Sequence, residues 1–253
     1  QIIARLMTEA GENACEAFPA HAIQVVPTTD RAAIPELLSL TEFVDLCIPR
    51  GGEGLIRAVA DCSKVPVIKH YKGICSVYLN TAANADKAIA ITVNSKTHRT
   101  GVCNAMETLL IEKAIAPKLL PQVAKALRTK GVELRVDETG AGILGDGITA
   151  ATSADWDTEF LDLICAVRVV DGVEGAIAHI NTHGSGHTDS IVTENETTAR
   201  RFQQEVDSST VFWNASTRFS DGGEFGMGAE IGISTDQIGA RGPMGLEELT
   251  TYK

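Results

Sequence analysis

The sequence predicts an α/β fold in which helices cover a mainly parallel sheet. Short, nearly continuous apolar runs alternate along the chain with stretches whose apolar side chains recur at helical spacing. Runs that are apolar on both alternating faces are typical of strands buried on both sides, as in a parallel sheet. The regular alternation of strand, helix and strand indicates βαβ units.

The first part of the chain contains the clearest alternation. The strand candidates are 23–27, 44–49, 65–68 and 74–79. Helices are predicted around two sets of apolar residues, Ile34, Leu37 and Leu38 followed by Leu55, Ala58 and Val59. A further helix is predicted over 84–96, because Asn84 or Asp86 is a suitable N-cap for the apolar stripe that follows.

A second α/β segment follows a polar break at 97–102. A strand is predicted at 108–111 and a helix over 117–130, with Pro121 as a kink or a delayed start. The run 161–170 predicts a long strand. Asp171 and Glu174 then resemble a capping box, which begins a helix that ends at Gly184.

Glycine-rich segments are expected to lie outside regular elements. Residues 137–153 are rich in Gly, Ala and Thr, which predicts an irregular surface loop. In 214–228, closely spaced glycines let backbone N–H groups approach a ligand. Residues 241–246 predict a further turn.

Composition excludes several classes of partner. The formal net charge of −11 disfavours nucleic acid and acidic membrane surfaces, which would repel the chain. Six cysteines without a CxxC pair suit a reducing cytoplasm better than a disulfide scaffold. No apolar run is long enough to span a bilayer. Because residue 1 is Gln rather than Met, we expect the chain to begin after processing or within a larger protein.

Four stretches, in order and at matching spacing, resemble the gamma-glutamyl phosphate reductase family. They are PRGGEGLI (49–56), VCNAMETLL (102–110), NASTRF with GGEFGMGAEIGIST (214–219 and 222–235), and ARGPMGLEELTTYK (240–253). The resemblance runs from about residue 20 to the end and implies an aldehyde dehydrogenase-like fold with the N-terminal part missing. It implies the later part of an NADP-binding domain over 1–98, a catalytic domain over 99–236, and a truncated oligomerisation segment over 237–253. Three residues depart from the family pattern, namely Ser76, Thr100 and Gly239.

The resemblance assigns the nucleophile to Cys103. A thiolate suits the displacement of phosphate from an acyl phosphate, because the resulting thioester is strongly electrophilic. The Cys103 backbone N–H is the implied donor to the oxyanion, with Asn104 beside it. Lys69 and His70 stand where hydrolytic relatives carry a general-base Glu. The alternative is that Cys103 is one more small core residue.

The resemblance also indicates cofactor and substrate residues. NADPH is expected against Arg50, Gly51 and Gly52, with Glu159 accepting hydrogen bonds from a ribose. Substrate-binding groups are expected at Asn214, Ser216, Thr217, Arg218, Gly222 and Gly223. The Arg218 guanidinium would hold a phosphate or a carboxylate. The alternative for Arg218 is a structural pair with Asp221 or Glu224.

A metal site is not predicted. His179, His183 and His187 stand four apart, a spacing that on one helix suits a metal. Gly184 and Gly186 are expected to end the helix first. His187 is therefore predicted to be a loop residue near the active site.

The implied function is NADPH-dependent reduction of L-glutamyl 5-phosphate to L-glutamate 5-semialdehyde and phosphate, the second step of proline biosynthesis. Three alternatives remain open: an inactive fragment of that enzyme, the reductase half of a bifunctional pyrroline-5-carboxylate synthetase, and a thiol hydrolase that uses Cys103 with a histidine. The family implies a homo-oligomer, association with glutamate 5-kinase and a cytoplasmic location.

Overall fold

The computed structural model describes residues 2–19 and 21–251. Its helices are α1 (Ile2–Ala14), α2 (Ala33–Leu37), α3 (Glu53–Cys62), α4 (Ala85–Thr97), α5 (Ala116–Thr129), α6 (Glu138–Leu144), α7 (Gly172–His183) and α8 (Glu196–Glu205). Its strands are β1 (Cys75–Leu79), β2 (Met106–Glu112), β3 (Glu133–Val136), β4 (Thr149–Ala150), β5 (Ile164–Val170), β6 (Thr188–Val192), β7 (Thr210–Trp213), β8 (Gly232–Ser234) and β9 (Gly242–Met244). Short 3-10 helices lie at Ser153–Asp157, Thr217–Phe219 and Glu247–Leu249.

The first seven strands form one sheet in the order β4-β3-β5-β2-β1-β6-β7. Every pair of neighbours in it is parallel, as predicted. The strands β8 and β9 form a separate antiparallel pair. Because β5 returns between β3 and β2, and β6 pairs with β1, the middle of the sheet consists of β5, β2, β1 and β6.

The apolar runs in the middle strands are explained by burial on both faces of the sheet. Val77 and Leu79 of β1 pack into one cluster with residues of α4 and α5. Tyr78, between them in sequence, belongs to a second cluster on the other face. Its ring stacks on Phe202 of α8 at a centroid distance of 5.9 Å. Burial of such large side chains contributes roughly 1.5–3 kcal/mol each.

The chain divides into two compact units. One comprises Gln1–Cys47 and Val59–Pro66, and the other comprises Ile48–Ala58 and Val67–Lys253. The large sheet lies within the second unit. These units do not coincide with the predicted boundary between residues 98 and 99, because β1 and α4 precede that boundary and belong with β2. The roles assigned to 1–98, 99–236 and 237–253 stay predictions.

Three predicted strands need correction. Residues 23–27, 44–49 and 65–68 form no regular strand, whereas the prediction at 74–79 is confirmed by β1. Each failed run contains a proline, which lacks the N–H that a central strand donates to its neighbour. The runs 44–49 and 65–68 are still joined by a backbone hydrogen bond from the Cys47 N–H to the Pro66 carbonyl at 2.9 Å.

Most helix predictions are confirmed. The Asn84 side chain caps α4 by accepting from the Lys87 N–H at 3.1 Å. Helix α5 begins at Ala116, so Pro121 does not delay its start. Helix α7 ends before Gly184 as predicted, but the expected capping box is wrong, because Asp171 makes no side-chain cap and Glu174 pairs with Arg201.

The predicted loop at 137–153 is also wrong in part. It contains α6 and β4, and the Asp137 carboxylate caps α6 by accepting from the Gly140 N–H at 2.8 Å. An Asp at this position satisfies an N–H that the helix leaves free, so a helix can begin in a glycine-rich sequence. Within the described part of the chain, no helix combines the length and apolarity needed to cross a bilayer.

Candidate active site

A cleft of about 510 Å³ lies in the second unit. Five residues predicted from the sequence line it: Arg50, Gly51, Gly52, Cys103 and Glu159. The structure therefore brings the predicted nucleophile and the predicted cofactor residues to one surface.

The reactive residues lie at the edge of the sheet where its parallel strands begin. Gly73 precedes β1, Cys103 precedes β2, Glu159 lies before β5, and His187 comes directly before β6. Because these four strands are neighbours in the sheet, their preceding loops meet at one place. Sequence analysis did not predict this edge, since strand order depends on pairings between distant segments.

The backbone at Cys103 is held by close packing against Gly73. A Cβ built on Gly73 would lie 1.9 Å from the Cys103 carbonyl oxygen and 2.5 Å from its Cα. That carbonyl also accepts a hydrogen bond from the thiol of Cys75 at 3.2 Å. Glycine is therefore required at position 73 for the nucleophile loop to reach the strand beside it.

The Cys103 side chain is a thiol in the resting protein. Burial, with further contributions from Glu230 and Glu159, raises its pKa to about 12. Its own backbone N–H and Arg218 act in the opposite direction without overcoming the burial. A nucleophilic role therefore needs a group that removes the proton as the sulfur reacts.

Alkylation of Cys103 by iodoacetamide is expected to be slow at pH 7 and to accelerate about tenfold per pH unit up to pH 10. With a pKa of about 12, only about one molecule in 10⁵ carries the thiolate at pH 7. Mass spectrometry of the peptide containing Cys103 measures the rate, and exposed Cys15 provides an internal reference. A rate independent of pH between 7 and 9 would contradict the resting thiol.

Two imidazoles lie beside the thiol. One ligand atom each from His70, Cys103 and His187 lie within 4.8 Å of one another. The two rings meet edge to face, with centroids 5.4 Å apart and an interplanar angle of 80°. Burial lowers the pKa of His70, and burial followed by the nearby His70 lowers that of His187 to about 3. Both rings are therefore neutral at pH 7, and full burial makes His187 a weak base.

The other two histidines of the 179–187 series lie away from this site. His179 and His183 are on α7, where His179 Nδ1 lies 2.8 Å from Arg168 and His183 Nδ1 lies 2.9 Å from Asp157. His187 lies beyond the end of the helix. The structure therefore places His187 in a loop against Cys103, as the sequence suggested.

Lys69 and His70 are adjacent in sequence but have different environments. Lys69 pairs with Asp236 at 3.0 Å, whereas His70 lines the cleft. Glu159 is held at the cleft by accepting the Gly73 N–H on Oε1 at 3.0 Å. Burial raises the pKa of Glu159 despite that hydrogen bond.

The Arg218 side chain is buried next to the nucleophile. Its Nη1 donates to the Asn104 side-chain oxygen, and its Nε donates to His98 Nδ1 at 3.3 Å. The partners of these bonds are therefore Asn104 and His98, rather than Asp221 or Glu224 as in the alternative. These bonds place a permanent positive charge close to the Cys103 sulfur, consistent with its effect on that pKa.

The neighbouring predicted residues are already engaged. The Ser216 hydroxyl lies 2.9 Å from that of Ser95, which also accepts the Thr217 N–H at 3.2 Å. The Gly222 N–H donates to Glu230 at 3.0 Å, and the Gly223 N–H donates to Asp221 at 3.0 Å. The expectation that these two glycine amides face an anion stays a prediction, and a bound anion would have to replace these carboxylates.

Asn214 lies at the opposite edge of the sheet, and its inclusion in the predicted cluster also needs correction. It follows β7, adopts a φ of 54°, and its side-chain nitrogen donates to the Thr193 carbonyl at 2.9 Å. There Thr193 donates to Asn80 at 2.7 Å, and Asn80 donates to Glu112 at 2.6 Å. Asn tolerates the left-handed conformation, so this residue ends the strand rather than facing Cys103.

Two carboxylates were not singled out from the sequence. Glu230 lies within a quoted motif and, after burial, contributes most to the raised pKa of the Cys103 thiol, but many acidic residues in the sequence offer the same signal. Glu107 is fully buried on β2 and pairs with fully buried Lys96 of α4 at 2.6 Å. Burial raises the pKa of Glu107 to about 7, while Lys96 lowers it. A charged residue inside an apolar run is the signal that could have found this pair.

One of the three departures noted in the sequence has a local explanation. Gly239 adopts a φ of 87°, a left-handed conformation that favours glycine over histidine. Nothing in the structure explains Ser76 or Thr100.

Comparison with solved structures identifies a close relative. The chain is 45% identical to gamma-glutamyl phosphate reductase from Thermotoga maritima, with a TM-score of 0.94. That alignment covers 99% of this chain and 60% of the Thermotoga protein, so the chain spans less than two thirds of its relative. A search against protein-family models found no match.

More distant structures share the fold. An acetylating aldehyde dehydrogenase from Geobacillus thermoglucosidasius is 22% identical, with a TM-score of 0.71 over 94% of this chain and 60% of its own. A glyceraldehyde-3-phosphate dehydrogenase from Methanocaldococcus jannaschii, complexed with NADP, is 13% identical, with a TM-score of 0.69 over 95% and 60%. The fold is that of the aldehyde dehydrogenases, and over 99% of its length the chain is similar to a gamma-glutamyl phosphate reductase.

Proposed function

We propose that the protein containing this chain reduces L-glutamyl 5-phosphate to L-glutamate 5-semialdehyde and phosphate with NADPH. The observation that carries this proposal is the 45% identity to the Thermotoga reductase over 99% of the chain. Cys103 in a cleft with Arg50, Gly51, Gly52 and Glu159 supports it. The reaction is that of the second step of proline biosynthesis.

Cys103 is the proposed nucleophile. Its sulfur attacks the acyl carbon, the carbon–oxygen bond to phosphate breaks, and a thioester remains while phosphate leaves. The thiol proton passes to His70, whose neutral ring has a nitrogen within 4.8 Å of the sulfur and which is less buried than His187. Glu is absent from the position that hydrolytic relatives use to activate water, which favours reduction of the thioester over its hydrolysis.

The cleft residues suit a dinucleotide phosphate. Residues 50–52 precede α3, and the first N–H groups of a helix attract phosphate. A Cβ added to Gly52 would meet nothing within 4 Å, so the backbone there is open to a ligand. Glu159 keeps one carboxylate oxygen for a ribose hydroxyl. NADPH, when bound, supplies the hydride that reduces the thioester.

The substrate's negative charges are proposed to meet Arg218. Its guanidinium lies beside Asn104, and its positive charge favours the thiolate of Cys103. Asn104 and the Cys103 N–H are proposed to stabilise the oxyanion. Ser216 and Thr217 hold the Arg218 segment against α4 through Ser95. Gly222 and Gly223 stay predicted binding residues whose N–H groups donate to carboxylates, whereas Asn214 lies at the opposite edge of the sheet.

Assembly and location form a separate part of the proposal. We infer a cytoplasmic homo-oligomer from the family, and association with glutamate 5-kinase as a further expectation. An inactive fragment and a bifunctional synthetase that also has a kinase domain remain alternatives. A thiol hydrolase is less favoured, since it predicts hydrolysis without a nucleotide.

Replacing Cys103 with serine is expected to abolish phosphate-dependent reduction of NADP⁺ by glutamate semialdehyde. The reverse reaction forms the same thioester, and a hydroxyl is too weak a nucleophile to form it at a useful rate. We expect a decrease of at least about 10³-fold in kcat, with the Cys15→Ser variant as the matched control because Cys15 is exposed. Absorbance of NADPH measures the rate.

Either of two results would overturn the proposal. Activity that survives in Cys103→Ser removes Cys103 as the nucleophile. A folded, complete protein that reduces NADP⁺ without phosphate, or not at all, removes the acyl-phosphate substrate.

A further inference from the structure

The cluster of His70, Cys103 and His187 contains the donor types that a zinc ion prefers. Two imidazole nitrogens and one sulfur lie within 4.8 Å of one another. Protein zinc sites with three ligands and an open fourth position commonly use such combinations of His and Cys. The proximity of the three donor groups therefore suggests a function besides proton transfer.

The hydrogen bonds of His187 leave one nitrogen available as a ligand. Thr188 donates its single hydroxyl proton to Ser220 at 2.8 Å, so its oxygen accepts the Nδ1 proton of His187 at 2.8 Å. His187 Nε2 then carries a lone pair. This atom is fully buried and has no hydrogen-bond partner among the described residues. An unpaired buried nitrogen is costly, and a ligand at that nitrogen relieves the cost.

His70 has the same arrangement. Its Nδ1 lies 3.3 Å from the Ile233 carbonyl oxygen, which accepts hydrogen bonds only. The ring proton is therefore on Nδ1, and Nε2 again carries a lone pair. Histidines that bind metals commonly donate the other ring N–H to an oxygen in this way.

The charged groups nearest the cluster are two carboxylates and two guanidinium groups. Glu230 and Glu159 both lie close enough to raise the pKa of the Cys103 thiol. Arg50 beside His70 and Arg218 beside Cys103 act against a cation. Each imidazole already has a lone pair on Nε2, because its hydrogen bond places the ring proton on Nδ1. Only the thiol proton has to be displaced.

We propose that His70, Cys103 and His187 form a zinc-binding site that converts the nucleophile into an unreactive, metal-bound thiolate. A zinc–sulfur bond forms, the thiol proton leaves to solvent, and no electron is transferred. Zinc bonds of about 2.0–2.3 Å place tetrahedral ligand atoms about 3.5 Å apart, so the widest pair closes by about 1 Å. The fourth position takes water. The inhibitory consequence rests on the proposed function, whereas binding does not.

Binding is tested with Co²⁺ as a probe on the full chain, since a thiolate bound to cobalt gives a charge-transfer absorption band. The unchanged protein is expected to bind one Co²⁺ with a Kd on the order of 10 µM or tighter and to release one proton. The Cys103→Ser variant loses the band. His187→Gln and His70→Gln each weaken binding by about tenfold or more, while Cys15→Ser and His183→Gln match the unchanged protein.

The outcomes decide the two proposals separately. No charge-transfer band at about 100 µM Co²⁺, or equal binding in Cys103→Ser, overturns the metal site. His70→Gln serves as the second histidine variant if His187→Gln fails to fold, because His70 is only half-buried. Where reductase activity is present, Zn²⁺ should suppress it and a chelator should restore it. Without such activity, the cobalt spectrum still decides the site.

Discussion

Replacing Gly73 with alanine is expected to abolish reaction at Cys103 and to destabilise the protein by about 3 kcal/mol. The added Cβ would lie 1.9 Å from the Cys103 carbonyl oxygen, and backbone rather than a flexible side chain must move to admit it. A displacement of about 1 Å at a nucleophile is enough for a loss of about 100-fold in rate. Urea unfolding and the reverse reductase assay measure the two effects.

Gly142→Ala is the matched control for this prediction. Gly142 lies in α6, and a Cβ there would meet nothing within 4 Å. Alanine in a helix is favoured over glycine by about 0.5–1 kcal/mol, so this variant should be as stable as the unchanged protein or slightly more stable. If Gly73→Ala unfolds at the same urea concentration and reacts at the same rate, the close packing is not as described.

Replacing Lys96 with methionine is expected to cost about 3–5 kcal/mol of folding free energy at pH 8. The pair with Glu107 is fully buried at 2.6 Å, so the variant leaves a carboxyl group in the core without its cation. The double variant Lys96→Met with Glu107→Leu removes both charges. We expect it to recover most of the folding free energy that Lys96→Met loses.

The cost of Lys96→Met should decrease as the pH is lowered. Burial already raises the pKa of Glu107 to about 7 with the lysine present, and loss of the lysine raises it further. The folded variant therefore binds more protons than the unfolded chain above the ordinary pKa of Glu, and its stability falls as the pH rises through that range. Unfolding measured at pH 5 and pH 8 tests the sign.

Lys87→Met is the matched control, because Lys87 is on the same helix and pairs with exposed Glu194 at 2.9 Å. An exposed pair contributes about 1 kcal/mol or less. If Lys87→Met and Lys96→Met cost the same, or if the cost at position 96 does not change with pH, burial does not control the energy of the pair.

Sequence patterns predicted the second half of the fold better than the first. Helix α5 and strand β5 have local signals, since their periodicity and end residues coincide. The runs 23–27, 44–49 and 65–68 have the hydrophobicity of strands, but their prolines and long-range surroundings decide otherwise. The parallel sheet was predicted, whereas the insertion of β5 between β3 and β2 could not be, because no local residue encodes strand order.

In the candidate site, too, local motifs could be predicted from the sequence, whereas contacts between distant segments could not. The resemblance led to Cys103, Arg50, Gly51, Gly52 and Glu159, which the structure places in one cleft. Contiguous motif residues were assigned together, although Asn214 and Arg218 lie at different places because the chain turns back between them. The effect of Glu230 on the pKa of the Cys103 thiol could be recognised only from the folded structure.

The far edge of the sheet contributes to folding stability at a distance from the nucleophile. At the far edge, Asn80, Glu112, Thr193 and Asn214 form hydrogen bonds with one another. Substitutions there would lower the fraction of molecules that is folded without altering the rate of each folded molecule. Selection for heat tolerance could therefore act on one side of the sheet while selection for substrate acts on the other.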